Sequence, residues 1–429
     1  SRPKSVLAPS ARHGVGRPAA MNATVDMSCT AAPGSGRRRP YLPDLQRLKP
    51  ASTGSVHWVE GGVRSNKWDY TNPHPARTRM APNHVRAAEW SLRQQRESSQ
   101  FAEALGRRAA PGDELNVDSL LFDNPSAVNM PVSFDQGSPL HVAAMRGHTG
   151  LTQLLIHRGA RADGVNYAGQ TSLHAACESN HAAVVFELLS AGADADQRDA
   201  LGNAPLHRAA FAGSLDGLVA LLDYGADPRR RDQGGLLPLH KAASMGRAEA
   251  IAILLERMPN QVNAEAGNGW TALHLAAHGA FPDAIEALLS YSADVSLCDQ
   301  ERATALHRAA AAGCEGCCQA LIRAGADVRA ADFSRCTPLH TACEEGCGAA
   351  ARSLLEAGSS VNVLDGMRRT PLLICTGSGH LELCALLLQY GASATFRDIS
   401  KGVPSALDVA RRNRQAALVA LLEAAAASE

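Results

Sequence analysis

From residue 138 onward the apolar positions come in two short helical bursts, then a polar gap, and the whole unit returns. The first burst is compact, as in "APLHRAAFAG" (204–213) and "TPLHTACEEG" (337–346). The second carries a paired aliphatic, at Leu155/Ile156, Leu188/Leu189, Leu221/Leu222, Leu254/Leu255 and Leu354/Leu355. Apolar residues three and four apart predict amphipathic helices, each burying one stripe. Glycine follows the second burst at Gly159, Gly192, Gly225, Gly325 and Gly391, where a helix C-cap takes the left-handed conformation. Polar turns such as "DADQRDALGN" (194–203) link one unit to the next.

The period is fixed by histidine. His141, His174, His207, His240, His274, His307 and His340 are separated by 33, 33, 33, 34, 33 and 33 residues. Self-similarity at this period predicts a stack of helical pairs rather than separate globular domains. These units resemble the ankyrin repeat, and "TALHLAAHGAFPDAIEALLS" (271–290) and "TPLLICTGSGHLELCALLLQYGASA" (370–394) carry the resemblance most fully. The expected fold is all-α, a solenoid of helix-turn-helix pairs with β-turn fingers. Residues 137–396 hold eight repeats. Residues 397–429 hold a C-terminal cap repeat, "SALDVARRNRQAALVALLEAA" (405–425), with Asp408 in the histidine place. Residues 84–136 read as a helix leading into a degenerate N-terminal capping repeat.

What the resemblance implies for the histidines is structural. In the Thr-Pro-Leu-His turn the Thr caps the first helix, Pro fits its first turn, and the His hydrogen-bonds within and between repeats. Metal ligation would require two to four ligands at one point, whereas this spacing distributes one histidine per layer. The cysteines divide similarly. Cys317, Cys318 and Cys384 fall at packing positions of second helices, and Cys343 and Cys375 replace Ala of first helices. Buried free Cys acts as a small hydrophobe. Cys314 and Cys347 take the turn position usually held by His or Asn, one repeat apart, where two thiols on one edge could bind a soft metal or oxidise. No metal site and no cofactor is expected. No Gly-x-Ser-x-Gly, phosphate loop or His-Glu-x-x-His is present, so neither an enzyme nor a small-molecule substrate is expected.

The resemblance implies partner contacts at positions that vary between repeats. After the histidine core these are Met145 and Arg146, Glu178, Phe211, Met245, His278, and Glu344 and Glu345; before the cap they include Leu236 and Trp270. Large apolar side chains in consecutive repeats suggest an interaction patch. In the same region Leu237 replaces the capping Thr, Met258-Pro259 replaces Gly-Ala, and Arg229, Arg230 and Arg231 fill one turn. That weak, basic, apolar-lined middle is the expected docking site or a bend.

Charge changes the picture at the N-terminus. The whole chain of 429 residues balances 42 basic against 42 acidic residues. Residues 1–83, however, carry 13 Lys/Arg against 4 Asp/Glu, a net of +9, leaving the remainder at −9. This arm is rich in Pro, Gly, Ser and Arg without periodicity and is expected to be mostly disordered. Within it, residues 56–75 place Trp58, Trp68 and Tyr70 together, a candidate linear motif. Opposite charge on arm and body allows an intramolecular arm–groove contact. The single "GRRRP" (36–40) is too sparse for nucleic-acid binding. The opening 25 residues lack acids and faintly resemble an organelle transit peptide. With 11 cysteines, no secretory signal pattern and no run of 18 apolar residues, a cytoplasmic chain without a membrane span is expected.

The function expected is a non-catalytic scaffold or adaptor that binds a protein along the concave face. Two alternatives are a structural component of a cytoskeletal or organellar assembly anchored by the arm, and a substrate receptor for a ubiquitin ligase. The latter would carry a C-terminal box after the repeats, which the few residues beyond the cap do not supply.

Overall fold

A computed structural model describes residues 103–132, 137–397 and 402–427. The regular elements among these residues are helical, apart from isolated bridge residues that include the pairs Val165–Thr171 and Cys298–Thr304. Eight helical pairs follow the period: Pro139–Arg146 with Thr149–His157, Ser172–Glu178 with Ala182–Ser190, Pro205–Ala212 with Leu215–Asp223, Pro238–Ser244 with Ala248–Arg257, Ala272–His278 with Pro282–Ser290, Ala305–Ala311 with Glu315–Arg323, Pro338–Glu345 with Gly348–Glu356, and Pro371–Ser378 with Leu381–Gln389. A ninth pair, Ala406–Arg412 and Ala416–Ala426, follows them. We number these repeats 1 to 9, each preceded by the finger that leads into it. Upstream, residues 103–109 and Glu114–Asp123 form one more pair, and Leu105, Ala109, Val117 and Leu121 are buried.

First helices pack on first helices and second on second, with a single apolar core running between the two layers. Each first helix is short because Pro, Ala or Ser starts it behind a β-region cap and it ends seven or eight residues later, at glycine in repeats such as 3 and 7. In that length Leu, His and two Ala or Cys face inward, as Leu206, His207, Ala209 and Ala210 do in repeat 3.

Three local expectations change on contact with the structure. The Thr hydroxyl caps through N3 only at Thr171 and Thr370, alongside Ser405 in repeat 9; at Thr271, Thr304 and Thr337 it meets the histidine Nδ1 at 2.9 Å instead. Leu237 is therefore a smaller departure than its sequence suggests. Its side chain is buried and its N–H donates to His240 Nδ1 at 3.0 Å, the same bond Ala204 makes to His207 at 3.1 Å. Finally, the extra residue at the end of repeat 4 is absorbed by a 3₁₀ turn, Pro259–Gln261. His240 still reaches forward, to the Ala264 carbonyl at 2.9 Å. The arm 1–83, with Trp58, Trp68 and Tyr70, and residues 84–102 lie outside the described residues. Among the described residues no helix is long and apolar enough to cross a membrane.

Candidate interaction surface

The first helices and the fingers are positioned by two sets of side-chain bonds that run in opposite directions. Forward, each repeat histidine accepts at Nδ1 from the N–H of its own cap and donates from Nε2 to a carbonyl of the next finger. Nε2 lies 3.0 Å from Gln170 O for His141, 3.0 Å from Asn203 O for His174 and 3.1 Å from Leu236 O for His207. His274, His307 and His340 reach Ala303, Cys336 and Val363, each at 3.1 Å. All seven rings are at most 2% exposed, and burial holds each imidazole below its usual pKa, about 4 for His207 and His240. The seven rings are one per layer, and among the described residues no group of three or more His, Cys, Asp or Glu is arranged to hold a metal.

Backward, in repeats 1, 2, 4 and 7 the residue that caps the second helix contacts a carbonyl at the end of the first helix one repeat earlier. His148 Nε2 lies 2.9 Å from Ala110 O, and His181 Nε2 lies 3.1 Å from Met145 O. Arg247 and Cys347 occupy the same position and contact Phe211 O and Ala311 O at 3.4 and 3.8 Å. Cys347 thus substitutes for a stapling histidine. Cys314, one repeat earlier, accepts from Cys317 N at 3.3 Å as a helix cap. Cys177, Cys317, Cys318, Cys343, Cys375 and Cys384 are buried, and burial pushes the Cys177 and Cys343 thiols up, away from the reactive thiolate.

The fingers are built on aspartate. Asp199 Oδ1 accepts from Leu201 N at 2.9 Å and Asn203 N at 2.8 Å; Asp299 repeats the pattern with Glu301 N and Ala303 N at 2.8 and 2.9 Å. The second carboxylate oxygen meets a cation nine residues on, one place after the histidine. Asp199 pairs with Arg208 and Asp232 with Lys241, both at 2.7 Å, and Asp299 pairs with Arg308. Burial opposes charge on Asp199, but the Arg208 and Asn203 bonds outweigh it and hold the carboxyl below its ordinary range. Arg208 also reaches Glu178 at 3.5 Å, and Arg308 reaches Glu301 at 2.8 Å. Sequence reading missed this row of ion pairs, although an Asp followed nine residues later by Arg or Lys in repeats 3, 4 and 6 signals it.

Repeat 5 breaks the row. Ala266 stands where the finger aspartate would and Leu275 where the cation would, and Trp270 precedes the cap of the same repeat. The Trp270 indole receives the Arg308 guanidinium at 4.8 Å from its ring centroid and the edge of His278 at 5.3 Å. Trp270 and Leu236 are half-buried, whereas Met145, Arg146, Glu178, Phe211, Met245, His278, Glu344 and Glu345 are exposed. The Trp270–His278 contact shows that the pre-cap finger residue and the end of the first helix share one surface. Along repeats 3 to 6 that surface alternates apolar side chains with neutralised ion pairs.

Arg229, Arg230 and Arg231 form no common cluster. Arg229 lies 3.9 Å from Met258 Sδ, and Arg230 pairs with Asp196 at 3.5 Å. Arg231 donates to the Gly235 and Glu265 carbonyls at 2.7 and 2.6 Å, tying two fingers together. None of these contacts is to Phe211, Met245 or Trp270.

A family model described as ankyrin repeats (3 copies) matches in overlapping placements from residue 108 to residue 398. An Arabidopsis thaliana protein, E3 ubiquitin-protein ligase XBAT33, is 36% identical over 74 residues, 17% of this chain. The chain spans only 14% of that relative's length. The crystal structure of the human ASB11 ankyrin repeat domain superposes with a TM-score of 0.48 at 28% identity, covering 52% of this chain and 99% of that one.

Proposed function

This chain belongs to the ankyrin repeat proteins, a fold that is generally non-catalytic and serves protein–protein interaction, and we propose that it is an adaptor or scaffold that holds one partner along the inner face of repeats 3 to 6. The observation that carries this reading is the stripe Phe211, Met245, Trp270 and His278, floored by Arg208, Lys241 and Arg308. Half-buried Trp beside Arg is the composition of binding hot spots, and the cations are already neutralised, so a partner need not bring charge to match each one. Arg229, Arg230 and Arg231 serve the stack in this reading, and Met145, Arg146, Glu178, Glu344 and Glu345 form the rim. No chemistry is assigned to the chain. The test is capture from native lysate by the full chain and by a Phe211→Ala/Trp270→Ala variant. Equal recovery of the same proteins by both baits would end the inner-face reading.

The local identity with a ubiquitin ligase supports a second reading, in which the repeats present a partner for ubiquitylation. Co-captured ubiquitin-conjugating activity would favour it over a passive scaffold. The ten described cysteines are free thiols, which suits the reducing cytoplasm where we place the protein.

A further inference from the structure

The binding reading uses no chemistry, yet the second helix of repeat 6, Glu315–Arg323, opens on two cysteines three residues apart. Cys314 is the N-cap and Cys317 the third residue of the helix. Elsewhere in this stack, residues in that relation bring their side chains together. Thr171 Oγ1 lies 2.9 Å from His174 Nδ1, and Ser405 Oγ lies 2.8 Å from Asp408 Oδ2. In repeat 6 the Cys314 sulfur accepts from Cys317 N at 3.3 Å, and the Cys317 thiol hydrogen-bonds to the same sulfur.

The direction of the Cys314 side chain sets it apart. At the same place His148, His181, Arg247 and Cys347 reach back to the first helix one repeat earlier. Among the described residues, the caps of the other eight second helices in repeats 1 to 9 make no side-chain bond to the start of their own helix. Cys314 alone turns inward, onto an N–H that steadies the negative charge a sulfur carries while it attacks or leaves. The Glu315 carboxylate beside it is engaged by Gln319 Nε2 at 3.0 Å.

The two thiols also differ in access. Cys314 is half-buried, whereas Cys317 is buried. Burial, and then the bond to Cys314, push the Cys317 thiol up. An outer sulfur backed by an inner thiol at Cys-x-x-Cys spacing is an arrangement for capture followed by resolution.

We propose that Cys314 and Cys317 form a redox-active pair whose oxidant is a small-molecule disulfide of the glutathione class. Cys314 Sγ attacks one sulfur of that disulfide. A Cys314–glutathione bond forms, the glutathione S–S bond breaks, and the first glutathione thiolate leaves and takes up the Cys314 proton through solvent. Cys317 Sγ then attacks Cys314 Sγ. The Cys314–Cys317 bond forms, the mixed disulfide breaks, and the second glutathione leaves with the Cys317 proton. Two protein thiols are oxidised and one small disulfide is reduced to two thiols. The pair lies outside the stripe assigned to partner binding and does not depend on it.

The experiment incubates the reduced full chain with oxidised glutathione, blocks the remaining thiols with iodoacetamide and reads tryptic peptides by mass spectrometry. One tryptic peptide, 309–323, holds Cys314, Cys317 and Cys318, and another, 336–352, holds Cys347. The native chain should give peptide 309–323 lighter by two hydrogens, with a single blocked thiol. Each variant borrows the residue that another repeat holds at the same place, so the stack should fold, checked by unchanged far-UV circular dichroism. These are Cys314→Ser after Ser214, Cys317→Ala after Ala250, and Cys318→Ala after Ala351. Cys314→Ser should lose both the disulfide and any glutathione adduct on this peptide. Cys317→Ala should stop with glutathione on Cys314, and Cys318→Ala should oxidise as the native chain does. A Phe211→Ala/Trp270→Ala chain should also oxidise normally, which separates this pair from the inner face. Absence of the disulfide in the native chain would overturn the proposal. So would its loss in Cys318→Ala, or a cross-link joining 309–323 to 336–352 in its place.

Discussion

His174 Nε2 lies 3.0 Å from the carbonyl oxygen of Asn203, 29 residues further along the chain and one repeat away. The same ring accepts from Thr171 N at 3.1 Å. One imidazole therefore fixes the start of its own helix and the finger of its neighbour. Replacing it by leucine, the residue repeat 8 holds at Leu373, keeps the apolar volume and deletes both bonds. His174→Leu should cost about 1–3 kcal/mol, the penalty for stranding buried polar groups, read as a lowered urea midpoint with unchanged far-UV circular dichroism. No loss would mean that the ring acts only as filler.

These bonds require the neutral ring, because protonated Nδ1 cannot accept. His207 and His240 hold folded pKa values of about 4, below the unfolded value near 6.5. Their contribution is complete above pH 6.5 and is lost as pH falls toward 4, where the folded rings also protonate. At pH 5 each should have given up about 2 kcal/mol. Chemical denaturation at pH 7 and pH 5 checks this, and a midpoint that did not fall between them would refute it. Asp199, which faces His174, has its own pKa lowered and stays charged over that interval.

Repeat 3 has Ala204 where other caps carry a hydroxyl, and its N–H already bonds His207. Ala204→Ser adds the hydroxyl contact that Thr171 makes at 2.9 Å. A gain of about 0.5–1 kcal/mol is expected, the size of an N-cap effect. A destabilised protein would show that the small buried site cannot admit an oxygen.

The Lys241–Asp232 pair is 2.7 Å long with side chains 10% and 7% exposed. Lys241→Met leaves the carboxylate without its cation and should cost about 3 kcal/mol. Lys241→Met with Asp232→Asn should recover most of that loss. If the double variant were as unstable as the single, the lysine would be contributing by packing alone.

Most of this stack was legible because a single solution is repeated. The histidine interval gave the layer spacing, and the Leu, Ala and Gly positions gave both helices of each unit. The proposed surface was legible in outline only. Phe211, Met245 and Trp270 declare themselves as large apolar residues at variable positions. The Asp–cation row does not, because its partners are nine residues apart and look like ordinary turn and surface charges. Arg229, Arg230 and Arg231 read as a single patch for a related reason. Adjacent letters suggest one basic patch, yet adjacent residues in a turn point in different directions, and these three reach Met258, Asp196 and the Gly235 and Glu265 carbonyls.

Repeats 1 to 7 each hold the next finger through a histidine, whereas Leu373, at the same place in repeat 8, has no side-chain donor to offer the finger that follows. Under tension applied to its two ends the stack should therefore yield first at a join without a histidine, and the join between repeats 8 and 9 is one. The last repeat should peel away at the lowest force, as one short step of contour length, before the repeats joined by histidine begin to yield. The chain is mechanically polarised, a ratchet with a loose final tooth.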